Sequence, residues 1–443
     1  MARKMKDSGI EWIGEIPEGW EVHRMKSCIS QRDGGAWGDE ATGETGDCIC
    51  LRIADFDYGH FRFTDSNNLT IRHYASPIIK KLLLQKNDIL IEKSGGGEKT
   101  PVGRTVLFDK EYPALFANFM DRLRCSDFIL PQYLQYVFVT FYKNRYTQNY
   151  IKQTTGIQNL DLSSMLADEF VPVPNLNEQK LIVCYLESKC SKIDNLLSKT
   201  RSSIEEYKKL KQAVITQSVT KGVRGEREMK DSGVEWAGLV PHHWGVAKIG
   251  SIGQTSSGAT PPRSKEASFF DDATIRWVRT LDLNDGLVYD SSEKITELAL
   301  ASSACSIMPK GTVCVAMYGG AGTIGKCGLL MSDCATNQAV CSIVCNREIV
   351  SPIFLLMQLL ALKSYWMKYA VGTRKDPNIS QDIVARMKIL IPPLDEQKEI
   401  TDHLDAKCAE IDGLIAKKEQ LVKELESYKK SLIYEVVTGK REV

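Results

Sequence analysis

One run of this sequence has the form of a cofactor-binding turn. Gly320-Ala321-Gly322-Thr323-Ile324-Gly325 fits G-x-G-x-x-G and follows the strand-like residues 313–317. In a dinucleotide-binding fold such glycines bring a helix N-terminus up to a phosphate, so a helix has to come next. Here Lys326-Cys327-Gly328-Leu329-Leu330 comes next, which reads as a second strand, and the segment is expected to be a hairpin. The corresponding first-half stretch, SGGGEKTPVG from Ser94, lacks the pattern. Other chemistries fare no better. Methyl transfer to a base amino group calls for N/D-P-P-aromatic, and the two Pro-Pro pairs, in TPPR from Thr260 and IPPL from Ile391, do not fit. The chain has no Pro-Asp pair to open a common nuclease motif, no H-E-x-x-H and no G-x-S-x-G. Thirteen cysteines form no C-x-x-C pair and six histidines are scattered apart from His242-His243, so zinc-ligand spacing is missing and reduced, mostly buried thiols are expected. Asp194 and Asp412 read as solvated helix faces. No catalytic residue, metal ligand or cofactor site is assigned.

What the sequence does offer is side chains suited to holding nucleic acid. Base edges in the major groove are read by Arg, Lys, Asn and Gln, while hydroxyls and backbone amides suit phosphates. In the first half the candidates are Gln31 and Arg32, Ser94 with Lys99 and Thr100, and Gln153 with Thr154 and Asn159. In the second they are Ser257, Thr260, Arg263 and Lys265, then Tyr318, Thr323 and Lys326, then Arg374, Lys375 and Asn378. Any one of these is also an ordinary surface-loop residue, so the weight lies on their clustering in both halves. The net charge of +1 is neutral on the question, because phosphate contacts need only a local basic surface.

These loops are carried by a tandem repeat. MKDSGIEWIGEIPEGW from Met5 recurs as MKDSGVEWAGLVPHHW from Met229, with 10 of 16 positions identical at an offset of 224. PNLNEQKLIVCYLESKCSKIDNLL from Pro174 recurs as PPLDEQKEITDHLDAKCAEIDGLI from Pro392; this pair runs ungapped at an offset of 218 to Thr220 and Thr438, with 18 identities in 47 positions. The middles, residues 25–172 and 247–391, match far less: Arg52 and Asp55 pair with Arg279 and Asp282, Gly95-Gly96 with Gly319-Gly320, and Asn118 with Asn337. One scaffold with two different inserts suggests one job done on two targets.

Each repeat ends in a predicted long helix. Ile182, Leu186, Ile193, Leu196, Leu197, Ile204, Tyr207, Leu210 and Val214 recur in steps of three and four, as do Ile400, Leu404, Ile411, Leu414, Ile415, Val422, Leu425, Tyr428 and Leu432. Asn177-Glu178-Gln179 and Asp395-Glu396-Gln397 supply N-cap and first-turn acids, and Gly222 and Gly439 the stops. About 44 residues make a helix of roughly 65 Å. The first carries ten Lys/Arg against five Asp/Glu over 178–224, the second nine against twelve over 395–443, which suits packing on each other or a basic helix facing phosphates. Antiparallel packing would give the halves an approximate two-fold relation suited to inverted half-sites; parallel packing would put both inserts at one end. The inserts themselves read as compact α/β domains, with strands at 89–91 and 313–317 and helices at 132–146 and 353–369. No stretch is apolar enough to span a membrane and no signal peptide is expected, so the protein is expected in the cytoplasm.

The repeated KDSG…W opening, the P-x-x-x-E-Q start of each long helix, ATNQAVCSI from Ala335, and TPPRSK, IRWVRTLDLND, EKIT, PKGTVCVAMYG and GTIGKCG within 258–330 resemble the specificity subunits of type I restriction-modification systems. The resemblance covers the whole chain, though TPPRSK has no counterpart in the first insert. It implies an α/β (α+β) tandem repeat: two globular target-recognition domains, 1–174 and 225–392, separated by two long antiparallel paired helices, 175–224 and 393–443, with a pseudo-two-fold relation. It further implies a non-catalytic subunit that reads a bipartite asymmetric site in double-stranded DNA. Two methylation subunits and the restriction subunits would be its partners; S-adenosylmethionine, ATP and magnesium are expected only in those. A stand-alone modification enzyme and a coiled-coil scaffold that binds no DNA are the competing expectations.

Overall fold

The computed structural model of the chain describes all residues except 1–2, 66–67, 155, 264–265, 320–321 and 371–377. It divides into two compact units, Met1–Ser202 with Glu419–Val443, and Ser203–Lys418. Each is therefore built from chain belonging to both repeats.

In the first unit the apolar run Ile89–Glu92, buried along its whole length, is a central strand. It lies between Met120–Cys125 and Thr105–Leu107, and the sheet continues to Ile29–Gly34 on one side and to Arg62–Phe63 and Phe56–Asp57 on the other. A second sheet orders Ala114–Phe116, Asp47–Leu51, Ile71–His73 and Asp39–Glu40. The second unit repeats the plan: Val313–Ala316, also wholly buried, lies between Val340–Cys345 and Cys327–Leu330, with Gly253–Ser257 and Gly286–Val288 outside. Its companion sheet orders Lys294–Ile295, Ile275–Val278, Cys334–Thr336 and Ile307–Met308. The expected hairpin forms: Val313, Cys314 and Val315 pair antiparallel with Leu329, Gly328 and Cys327. Beyond its glycines the chain thus enters a strand instead of the helix of a dinucleotide fold.

The same two close approaches recur. A Cβ on Gly35 would lie 2.2 Å from the Ala117 carbonyl oxygen, and one on Gly258 1.8 Å from that of Thr336, so only glycine lets the outer strand pass there. The inserts diverge in sequence yet keep the contacts that set the frame.

Helices cover each sheet at Pro131–Lys143 and Pro352–Ala361. The second is shorter than the periodicity predicts: it stops at Leu362, and the aromatic stretch continues as two separate short turns, Lys363–Tyr365 and Trp366–Tyr369, with Trp366 buried. The long helices span Leu176–Lys221 and Leu394–Val437. Gly222 and Gly439, at φ 73° and 71°, stop them in the left-handed conformation. The first cap is Asn175 rather than Asn177, its side-chain oxygen accepting from the Glu178 amide at 3.0 Å. In the first unit Lys429 pairs with Asp194 (2.7 Å) and Arg201 with Glu426 (2.5 Å); in the second Lys211 pairs with Asp412 (2.6 Å), and Arg224, just past the first helix, with Glu399 (2.7 Å). Partner numbers fall on one helix as they rise on the other, so within each unit the helical segments pack antiparallel.

The stripes are only partly a helix-to-helix seam. Ile182, Leu186, Ile193 and Leu197 join the core of the first unit, and Ile400 and Leu404 that of the second. Leu196, Leu210 and Tyr428, expected in the seam, are exposed. Conversely Leu432, Ile433, Val436 and Val437 complete the first unit's core, against Trp12, Trp20 and Tyr133, while Ile215 and Val219 enter the second's with Trp236 and Trp244.

The P-x-x-x-E-Q motif has a mechanical reason. Gln179 is fully buried; its amide nitrogen donates to the Phe128 (3.0 Å) and Pro174 (2.8 Å) carbonyls and its oxygen accepts from the Leu130 amide (2.7 Å). Gln397 does the same with Ile349 (2.9 Å), Pro392 (2.9 Å) and the Ser351 amide (2.8 Å). Each glutamine ties the start of a long helix to the loop that opens the covering helix. Replacing Gln397 with leucine strands these backbone groups and is expected to cost roughly 2–4 kcal/mol, read by urea unfolding of the second unit; an unchanged midpoint would contradict the clip.

Glu396 beside it accepts from His243 (2.6 Å), Arg227 (2.8 Å) and the Trp244 indole (3.2 Å). Burial pushes its carboxyl upward, but the bonds from His243, Arg227 and Trp244 outweigh it and hold the group below its ordinary 4.5. A carboxylate depressed in the folded state stabilises fully above its unfolded value and loses that contribution as pH falls through the folded one. The second unit should therefore weaken from about pH 4.5 downward, and Glu396→Gln should flatten that acid limb in unfolding titrations.

Candidate nucleic-acid interface

At one end of each main sheet three segments converge through the same backbone bonds. In the first unit the Lys93 amide donates to the Phe119 carbonyl (2.9 Å) and the Leu160 amide to the Lys93 carbonyl (2.8 Å). In the second the Met317 amide donates to Ala339 (2.8 Å) and the Ile379 amide to Met317 (2.8 Å). Ser94 accordingly pairs with Asn159 in a small sheet, and Tyr318 bridges to Asn378. The frame is common; the side chains on it are not.

Sequence candidates from distant stretches meet here. The hairpin of Ile151–Thr154 and Ile157–Leu160 carries Gln153, Thr154 and Asn159 beside Ser94–Gly95, and the Ser94 hydroxyl bonds the Asn159 side chain. Lys99 and Thr100 are exposed on the same loop, closed by a bond from the Gly97 amide to the Thr100 carbonyl. Arg32 reaches the buried Asp121 at 2.7 Å and the Ser163 hydroxyl at 2.8 Å; Lys93 takes the other Asp121 oxygen at 2.6 Å. Gln31 is turned to Asp33 (2.9 Å) and Arg124 (2.9 Å). In the second unit Ser257 ends its strand opposite Cys341, and Thr260 bonds the Gln338 side chain. Thr323 packs under Gly319, and its carbonyl accepts from the Lys326 amide at 3.0 Å. Arg263 is held by Glu293 at 2.7 Å and stacked 4.4 Å from the Phe270 ring. Lys265, Arg374 and Lys375 lie outside the described residues.

Strand registers align Arg32, Lys93 and Asp121 with Thr255, Met317 and Cys341. The charged trio is thus private to the first unit. Sequence reading missed Lys93, Asp121 and Gln338, and it missed Trp37, which occupies the position of Thr260 one step after the paired Ala36 and Ala259; Trp37 is exposed, with the Arg72 guanidinium 4.3 Å above its ring. An isolated tryptophan in GGAWG was the available signal. All thirteen cysteines are free thiols, and burial raises many of them, Cys28, Cys125 and Cys341 to about 12. Among the described residues no group of three or more His, Cys, Asp or Glu is placed to hold a metal.

Two unlike sets of polar side chains on one duplicated frame are the arrangement expected of a protein that recognises two sequences. The profile of the type I restriction modification DNA specificity domain matches residues 17–206 and again 241–424. The chain belongs to this family, that of the specificity subunits of type I restriction-modification systems. It is 25% identical over 439 residues to the type I restriction enzyme MjaVIII specificity subunit of Methanocaldococcus jannaschii, covering 96% of this chain and 93% of that one. It is 23% identical over 270 residues to the EcoBI specificity subunit of Escherichia coli, covering 59% and 56%. Among solved structures, a chain from work on complex assembly and conformational transition of the type I R-M system superposes with a TM-score of 0.73 at 14% identity, covering 96% of this chain and 99% of that one. The HsdS subunit from Thermoanaerobacter tengcongensis gives 0.50 at 14%, covering 96% and 98%.

Proposed function

We propose that the two units read the two unlike halves of a bipartite, asymmetric DNA site, and that the chain carries no catalytic centre of its own. The observation that supports this most is the shared frame with exchanged side chains: Lys93 and Ser94 stand where Met317 and Tyr318 stand in the other unit, around an asparagine, Asn159 or Asn378, that both units keep. A scaffold conserved around a variable reading surface is what two different half-sites require. In the first unit Ser94, Lys99, Thr100, Gln153 and Asn159 contact DNA, with Arg32 and Lys93 set by Asp121; in the second Ser257, Thr260, Tyr318 and Asn378 do so. Lys265, Arg374 and Lys375 remain assigned to this surface from sequence alone. The long helices set the gap between half-sites. Their exposed apolar residues, among them Leu181, Leu196, Leu210 and Leu421, offer surface to two methylation subunits, which would bring S-adenosylmethionine to adenine. Restriction subunits with ATP and magnesium would join that complex, in the cytoplasm.

The purified chain, incubated with labelled S-adenosylmethionine and duplex DNA, should bind DNA with affinity that falls steeply with salt and transfer no methyl group. Transfer by the chain alone would overturn the non-catalytic reading, and salt-independent or absent binding would overturn the DNA reading.

A further inference from the structure

The first unit holds a cleft of about 510 Å³ between Gly59–Phe61, the covering helix and the paired long-helix segments, and a neighbouring hollow that shares Phe61 and Lys143 with it reaches Lys99 and Thr100. Its floor is apolar: Phe61, Val139, Leu197 and Ile433. Its rim is cationic: Lys143, Lys423 and Lys430 line it, and none of them enters an ion pair among the described residues. Arg201 and Lys429 line it too, but these are spoken for by Glu426 and Asp194. Desolvation in the cleft, and then the Lys429 ammonium, hold Lys143 below the ordinary lysine range. The rim therefore gathers positive charge that no ion pair among the described residues answers.

The internal repeat supplies a control. At the offset of 218 Lys429 and Asp194 correspond to Lys211 and Asp412, which form the same pair, so that contact belongs to the scaffold. Arg201, Lys423 and Lys430 correspond instead to Glu419, Glu205 and Gln212. Antiparallel pairing of these helices does not need the rim cations, since the other copy does without them.

We propose that this cleft binds a nucleotide, its planar ring on the apolar floor by Phe61 and its phosphate between Lys143 and Lys430. A cavity of this size holds a small ligand, whereas a duplex, whose major groove alone is about 12 Å wide, cannot enter it. A phosphate ester with a ring matches floor and rim together; a bare anion would leave the floor wet and an apolar molecule the rim unanswered. The proposal is independent of which bases the units read.

Calorimetric titration of the full chain with AMP, and separately with adenosine and with inorganic phosphate, tests it. AMP should saturate one site and outbind both fragments. Lys143→Met with Lys430→Glu should weaken AMP by about 100-fold or more, the loss of two charge-assisted contacts at about tenfold each, with an unchanged melting temperature. Single-stranded oligonucleotide that displaces AMP would make an unpaired nucleotide of a strand the occupant, and failure to displace it a free nucleotide. No saturable AMP binding, phosphate binding as tightly as AMP, or AMP binding unaffected in the folded double variant would each overturn the proposal.

Discussion

Ending the chain after Lys418 should abolish cooperative folding of the first unit while leaving the second intact. The deletion removes Leu432, Ile433, Val436 and Val437, all buried in a core otherwise supplied from more than 200 residues away. It also removes Lys429, whose ammonium holds Asp194 at 2.7 Å, and the Val437 carbonyl that accepts from the Tyr133 hydroxyl at 3.1 Å. Each large aliphatic lost from a packed core costs roughly 2–4 kcal/mol. Four of them exceed much of the roughly 5–15 kcal/mol by which a domain is stable. The second unit draws its completing residues, Ile215 and Val219, from the first helix and keeps them. Calorimetry of the truncated chain should show one unfolding transition and lack the one assigned to the first unit. Two transitions at unchanged temperatures would mean that the terminal helix is an appendage.

The second large effect is expected from Asp121→Asn. The change keeps the shape but removes the charge that Arg32 and Lys93 share, leaving two cations side by side around a buried amide. Removing one partner of a buried ion pair costs up to about 3–5 kcal/mol, and the partial exposure of both cations here puts the loss near roughly 3 kcal/mol. Lys93 is also the residue whose backbone joins the converging segments, so the candidate surface of the first unit should loosen with it. Binding to DNA altered in one half-site at a time should then show indifference to the first unit's half-site and normal discrimination at the other. Thr255, Met317 and Cys341 carry no charge in the second unit, so its reading does not depend on such a trio. Equal loss at both half-sites would contradict the assignment.

Periodicity and repeat alignment made legible what local chemistry decides. The buried central strands, the hairpin after Val313 and the glycine stops at Gly222 and Gly439 arise from short runs of residues, and the structure has them where they were expected. The cap at Asn175 and the stop at Leu362 depend on how a turn packs, and spacing alone placed both wrongly. Leu196 and Leu210 fit the apolar period but face outward, because the antiparallel partner and the domain core together take a narrower stripe. The largest feature hidden from sequence is the exchange of helix ends, for no neighbour of Val436 announces that Trp20 is near it. The candidate surface was legible as two clusters of polar loops. The residues that position it, Lys93 and Asp121, were not, since Asp121 lies 28 positions from Lys93 and 89 from Arg32 in sequence.

The central claim is that one chain reads two different half-sites through two copies of one frame. Mapping methylated adenines across the DNA of cells that carry the intact system, for the wild type beside Asp121→Asn, tests it most directly. Two short unlike motifs at a fixed gap should emerge, with only the first unit's motif degraded in the variant. A single uninterrupted motif, or one in which both parts change together, would contradict it.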